Sequence, residues 1–139
     1  MPSPYSLLGP RQLTLLCGLF LLLPPGQALA YDARLRPQFE RLDSHTRLEE
    51  VCDTEVTLRI NRDKPELQVD KVVAYTFKQP VEQSDRLAAE GAAFRSRGKW
   101  FHLRYKCQTG PRHLDVHDLS YQIGGEIGKA LWRRYYLYD

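Results

Sequence analysis

The sequence predicts an α+β domain: an N-terminal helix packed on a small antiparallel sheet of three or four strands, stapled by one disulfide. Three observations predict it. A stretch with helical apolar spacing, 47–60, precedes several β-patterned stretches, and that order is typical of segregated helix and sheet. Segment 100–107 alternates apolar and polar side chains residue by residue. Cys52 and Cys107 each fall on the apolar side of their own element, one in the helix and one in the alternating strand.

Length and composition frame this reading. The 139 residues make one domain at most. An apolar content of 42% is too high for a disordered chain. Twenty Lys and Arg against 17 Asp and Glu leave a formal charge of only +3, which argues against a nucleic-acid binder working through bulk charge. No apolar run reaches the roughly 20 residues of a membrane-spanning helix.

Residues 1–30 read as a secretory signal peptide. Arg11 is the one basic side chain, 13–23 is an apolar run, and Pro24, Pro25 and Gly26 break it. Ala28 and Ala30 then place small residues at the −3 and −1 positions, so cleavage is expected before Tyr31. The alternative is an uncleaved anchor. Export implies a periplasmic or secreted protein, with no transmembrane segment after cleavage. Residues 31–41 read as a weakly patterned lead-in, and 42–139 as the single domain.

In the domain, Thr46-Arg47-Leu48-Glu49 has the pattern of a capping box. Leu48, Val51, Cys52, Val56 and Ile60 follow at helical spacing, and the helix should stop before Pro65. Glu55 and Arg59 lie on the same side as Leu48 and Cys52, in the favourable acid-first i, i+4 order. They read either as side chains snorkelling at the edge of the stripe or as a partly buried ion pair that positions a site.

Residues 72–77, β-branched and aromatic, predict a strand ended by Pro80. The polar stretch 81–91 reads as a loop, 92–95 as a short strand and 96–99 as a turn in which Gly98 is free to take positive φ. In strand 100–107, Phe101, Leu103, Tyr105 and Cys107 share one face; His102, Arg104 and Lys106 share the other. After a turn at 109–111, the inward positions change parity between Val116 and Leu119, which predicts a β-bulge near His117-Asp118. Gly124-Gly125 should close that strand. The tail 127–138 carries Ile127, Leu131, Trp132, Tyr135 and Leu137, too many apolar residues to hang free, and should dock on the core as a short helix or turn.

In an exported chain the remaining even pair of cysteines reads as a disulfide. If the apolar faces of helix and strand build one core, Cys52 and Cys107 point at each other across it.

Several blocks together resemble a known family. They are Thr46-Arg47-Leu48-Glu49 leading into Cys52-Asp53, then Val72-Val73-Ala74-Tyr75, then the run from Gly91 to Gly98. Trp100, Leu103, Tyr105 and Cys107 follow, then Gly110-Pro111-Arg112-His113-Leu114-Asp115-Val116 and the ending Trp132, Tyr135, Leu137-Tyr138-Asp139. Over about residues 42–139 the chain resembles the domain of unknown function nine-thirty family, exported proteins of alphaproteobacteria. The resemblance implies export and supports the cysteine pairing. It implies no reaction.

The candidate chemistry is sparse. His113, His117 and Asp118 are the most metal-like residues, but on a strand the two histidines lie roughly 13 Å apart and cannot share one ion. No metal and no cofactor is expected. Both domain cysteines go into the disulfide, and there is no G-x-S-x-G, so nucleophilic catalysis has no obvious carrier. The clearest feature is a basic row, Arg95, Arg97, Lys99, His102, Arg104 and Lys106, interleaved with aromatic residues. It suits an anionic partner: lipid headgroups, polysaccharide or an acidic envelope protein. It is equally what the solvated face or the charge-protected edge of a sheet looks like. The favoured function is therefore an exported interaction module. The alternative is a small hydrolase or ligand-binding enzyme using Glu55, Arg59 and His102.

Overall fold

Asp43 starts the long helix. Its carboxylate accepts from the Thr46 backbone N–H at 3.1 Å and from the Thr46 hydroxyl at 2.6 Å. Thr46 is thus a donor inside the first turn, and the expected capping box is replaced by an Asp cap three residues earlier. In the computed structural model, which describes residues 34–139, the first helix α1 spans Arg36–Phe39 and the long helix α2 spans Ser44–Asp63. The helix is longer at both ends than the 47–60 expected. The 1–30 signal-peptide reading lies outside the described residues. The stretch read as a lead-in carries α1, and its Phe39 is buried with Val51 and Leu114. Arg47 ties this corner together by donating to the carbonyls of Phe39, Leu42 and Arg112 at 2.7–3.1 Å.

Five antiparallel strands follow: β1 Val69–Val73, β2 Val81–Gln83, β3 Arg86–Ser96, β4 Lys99–Thr109 and β5 Val116–Glu126. Their order is β1-β3-β4-β5, with β2 pairing β3 beside β1. The α+β architecture stands, with five strands where three or four were expected. Two readings are corrected. The strand placed at 72–77 ends at Val73. The stretch 81–91 is not a loop: it holds β2, a turn with Ser84 at φ 52°, and the first half of an 11-residue β3. Its Ala- and Glu-containing sequence has weak strand propensity, and pairing with β4 overrides that preference.

Asn61 joins helix to sheet. Its amide donates to the Val69 carbonyl and accepts from the Val69 N–H, so it stands in for a strand partner where β1 begins. The β3–β4 turn has Arg97 at φ 50° and Gly98 at φ 71°, the two positive φ values of a tight hairpin. Between β4 and β5, Thr109 pairs with Val116 but Gln108 pairs with Asp118, so His117 is the extra residue of the expected bulge. A second irregularity sits at Gly124-Gly125, and β5 continues through it to Glu126.

The sheet has two covered regions. Its inner face packs under α2, where Leu48, Cys52, Val56 and Ile60 meet Leu87, Phe94, Leu103, Tyr105 and Cys107. Cys52 and Cys107 are bonded, with their Cα atoms 6.0 Å apart. On the outer face the tail docks as expected, through α3 Lys129–Trp132 and a 3₁₀ turn, Arg133–Tyr135. Trp132, Ile127 and Leu137 cover Trp100 and Ala93, and the Trp100 indole donates to the Tyr138 carbonyl at 2.9 Å. No described helix is long and apolar enough to cross a membrane.

Candidate functional site

The alternation of β4 decides what the outer face presents. Leu103, Tyr105 and Cys107 are buried, while His102, Arg104 and Lys106 are exposed. The six basic residues of 95–106 do not form one surface. Arg95 sits at the end sealed by the tail, where its guanidinium bonds both oxygens of Asp70 at 2.9 and 3.2 Å. Lys99 pairs with Glu126 at 3.1 Å, and Arg97 is out on the hairpin turn. His102 packs its ring on Phe77, with centroids 4.6 Å apart. Only Arg104 and Lys106 stand on the uncovered half of the sheet. Arg86 joins them there, because it pairs in register with Gln108.

That open half is concave. A hollow of about 550 Å³ lies between the Phe77–His102 wall and Arg104, floored partly by glycine backbone at 91, 124 and 125. A neighbouring hollow of about 390 Å³ shares Glu90, Arg104 and Gln122 with it and ends at Lys106 and Ser120. Arg104 is fixed between them by donating to Gln122 Oε1 at 2.8 Å.

The residues of the enzyme reading separate. Glu55 and Arg59 do form an ion pair, at 3.4 Å, and Glu55 is buried under α2. Burial raises the Glu55 carboxyl above its usual range, and Arg59 pulls it partly back. The pair is thus partly buried rather than snorkelling at the edge of the stripe. His102, however, is on the opposite face of the sheet from α2, since its neighbour Leu103 is the residue that faces the helix. The three residues do not share a site.

His113 is buried, with Nδ1 2.9 Å from the Ser44 carbonyl oxygen and 3.2 Å from its hydroxyl, so it serves the corner between α2 and the 110–115 turn. Among the described residues no three His, Cys, Asp or Glu side chains converge as a metal would require.

Sequence reasoning missed Asp53 and Tyr105. The Tyr105 hydroxyl donates to Asp53 Oδ1 across the helix–sheet interface. Asp53 is half-buried as a residue, but its carboxyl group is surrounded by protein. Burial pushes its pKa up to about 7, against the Tyr105 hydrogen bond, and the nearby charges of Glu49 and Glu50 add to the rise. Burial and the Asp53 charge push the Tyr105 phenol up as well. A signal for this pair was available: Asp53 follows one half-cystine and Tyr105 precedes the other by two, so joining the cysteines brings them together. Beside Asp53, a groove of about 400 Å³ between α2 and β1 is lined by Glu49, Glu50, Asp70 and Tyr75.

Comparison with curated proteins and with solved structures finds no match. A family model does match, over residues 39–137, which takes in α2, the whole sheet and the docked tail. The chain belongs to the family described as Domain of Unknown Function (DUF930).

Proposed function

We propose that the protein is exported and acts, in the periplasm or outside the cell, as a non-catalytic interaction module that grips anionic envelope material. Two features support export: the signal-like order of residues 1–30, and a buried disulfide, a bond that forms and persists in oxidising compartments. The observation that carries the binding reading is the state of the cations on the open half-sheet. Arg86, Arg104 and Lys106 stand there without an ion pair among the described residues, whereas Arg95 and Lys99 are neutralised at the sealed end. Glu90 and Asp118 share the open half, so its attraction for an anion is moderate and its reach is limited to about 8 Å at physiological ionic strength.

Binding to vesicles containing anionic lipid, or to an acidic polysaccharide, should be weak and salt-sensitive. Reversing both charges, Arg104→Glu with Lys106→Glu, should reduce it by about tenfold or more. Unchanged binding by that variant would sink the reading. For export, N-terminal sequencing of the mature protein should begin at Tyr31, and a full-length, membrane-embedded product would overturn it.

A further inference from the structure

The open half-sheet is shaped as well as charged, and its shape selects among anions. Three glycines line the larger hollow. Two have reasons inside the chain. A Cβ at Gly91 would lie 2.6 Å from the Lys78 Cβ, where the 74–80 segment crosses over the strand, and one at Gly124 would lie 2.8 Å from the His102 Cβ. Gly125 has no such reason. A Cβ there would meet nothing within 4 Å, and its φ is not positive. A strand glycine often marks a bulge or the close approach of a ligand; Gly125 sits at the second β5 irregularity but holds no positive φ that would demand a glycine, which leaves the ligand. The hollow Gly125 opens onto is lined mostly by apolar surface and is walled on one side by the Phe77 and His102 rings. Tyr135 holds Phe77 from behind at 4.5 Å between centroids.

The polar groups around that floor are mixed. Arg104 is already satisfied in part by Gln122, which leaves the Gln122 amide N–H groups to donate outward. Glu90 lines the same hollow as an acceptor and forms no ion pair among the described residues. A bare phosphate would gain nothing from Glu90 and would be repelled by it. A ring carrying hydroxyl groups uses donors and acceptors together and lays its C–H face on an apolar floor. The second hollow continues beyond Arg104 to Lys106, so the pair suits two consecutive rings of a chain, with an acidic group facing the two cations.

We infer that the anionic ligand is an acidic saccharide chain, one pyranose ring seated over Gly125 against Phe77 and His102, the next beyond Arg104. This rests on the basic-face reading above and narrows it. The test is titration of the oxidised protein with a galacturonate trimer, with maltotriose and with anionic lipid vesicles, in wild type and in Gly125→Leu. Because a side chain at 125 enters open space, Gly125→Leu should keep the wild-type melting temperature, and the thermal melt is recorded beside each titration. The trimer should bind saturably, maltotriose at least about tenfold more weakly, and Gly125→Leu should lose about tenfold in trimer affinity while vesicle binding stays. Equal trimer binding in Gly125→Leu overturns the seat but leaves the basic face standing. Vesicle binding without trimer binding overturns the saccharide class and keeps the face. Equal affinity for maltotriose overturns the acidic class. Binding of none of them overturns both.

Discussion

The two faces of the sheet are written by the same strand and have opposite characters. On the inner face Leu103, Tyr105 and Cys107 of β4 are buried under α2, and that layer is closed by a covalent bond, Cys52–Cys107, beside the Asp53–Tyr105 hydrogen bond. On the outer face one end is sealed by the tail around Trp100, and the other end is left open with its cations exposed. The contrast separates two jobs. The inner face holds the domain together, so its side chains are fixed by packing. The open part of the outer face keeps its side chains exposed, and on the proposed reading it is the part that carries recognition. Residues near the bond on one face should therefore dominate melting, and residues on the other should dominate binding.

The largest effect should come from the bond. With the cysteines 55 residues apart in sequence, the chain-entropy estimate for the loop is about 4 kcal/mol. That is a large share of the roughly 5–15 kcal/mol typical of a domain. Replacing both residues, Cys52→Ala with Cys107→Ala, should lower the denaturant midpoint under oxidising conditions by a corresponding amount. A loss below about 1 kcal/mol would mean that the inner face holds without its staple.

Next comes the sealed end of the outer face. Trp132 is buried against Trp100, Ile127 and Leu137, and its indole donates to the Ile127 carbonyl at 2.8 Å. Trp132→Ala should cost about 3 kcal/mol. It also leaves Trp100 as the only tryptophan, so its emission should shift to the red as the cover is lost. The two clusters lie on opposite faces, so the costs of removing the disulfide and of Trp132→Ala should add. A strong departure from additivity would show that the faces are coupled through β4.

The third effect is a pH dependence that belongs to the inner face. Asp53 titrates at about 7 in the fold against 3.8 when free. Its folded pKa is raised, so its favourable contribution is complete below the free value and is lost as pH rises through the folded one. Between pH 5.5 and 8.5 stability should fall by about 2 kcal/mol. His45, whose pKa is raised by Glu82, acts in the same direction from the surface. Asp53→Asn keeps an acceptor for Tyr105 and should flatten the Asp53 part of the profile. A profile unchanged in that variant would assign the slope elsewhere.

This contrast between faces also marks what could be read in the residues. The inner face was legible. Cys52 repeats the helical position of Leu48, Cys107 repeats the parity of Leu103, and a parity change at Val116 and Leu119 located a bulge. Periodicity reports burial, and these residues are periodic because they are buried. The segment 81–91 was not legible, since Ala88, Ala89 and Gly91 are small and Glu90 is charged. Their strand state comes from pairing with β4, which no local pattern carries. The division of the outer face was hidden for a related reason. Alternation shows which side a residue faces, but not that Arg95 meets Asp70 of β1 and Lys99 meets Glu126 of β5 while Arg104 and Lys106 have no ion pair among the described residues. Thr46 was mistaken for the helix cap because Asp43, an equally good cap, sits three residues earlier, and local pattern does not choose between them.

The smallest effect is also the one that most sharpens the comparison, because it sets two outer glycines against each other. Gly98 and Gly125 are alike in space: a Cβ added to either meets nothing within 4 Å. They differ only in backbone. Gly98 holds φ 71°, where an L side chain is strained, and Gly125 does not. Gly98→Ala should therefore destabilise by about 1 kcal/mol through strain alone. Gly125→Ala relieves the unfolded chain of glycine's excess freedom and should stabilise by about 0.5 kcal/mol. Opposite signs in paired denaturation curves would show that the fold tolerates a side chain at 125, so glycine there serves something other than the fold. If Gly125→Ala costs as much as Gly98→Ala, the second β5 irregularity needs its glycine, and the outer hollow owes its open floor to backbone geometry alone.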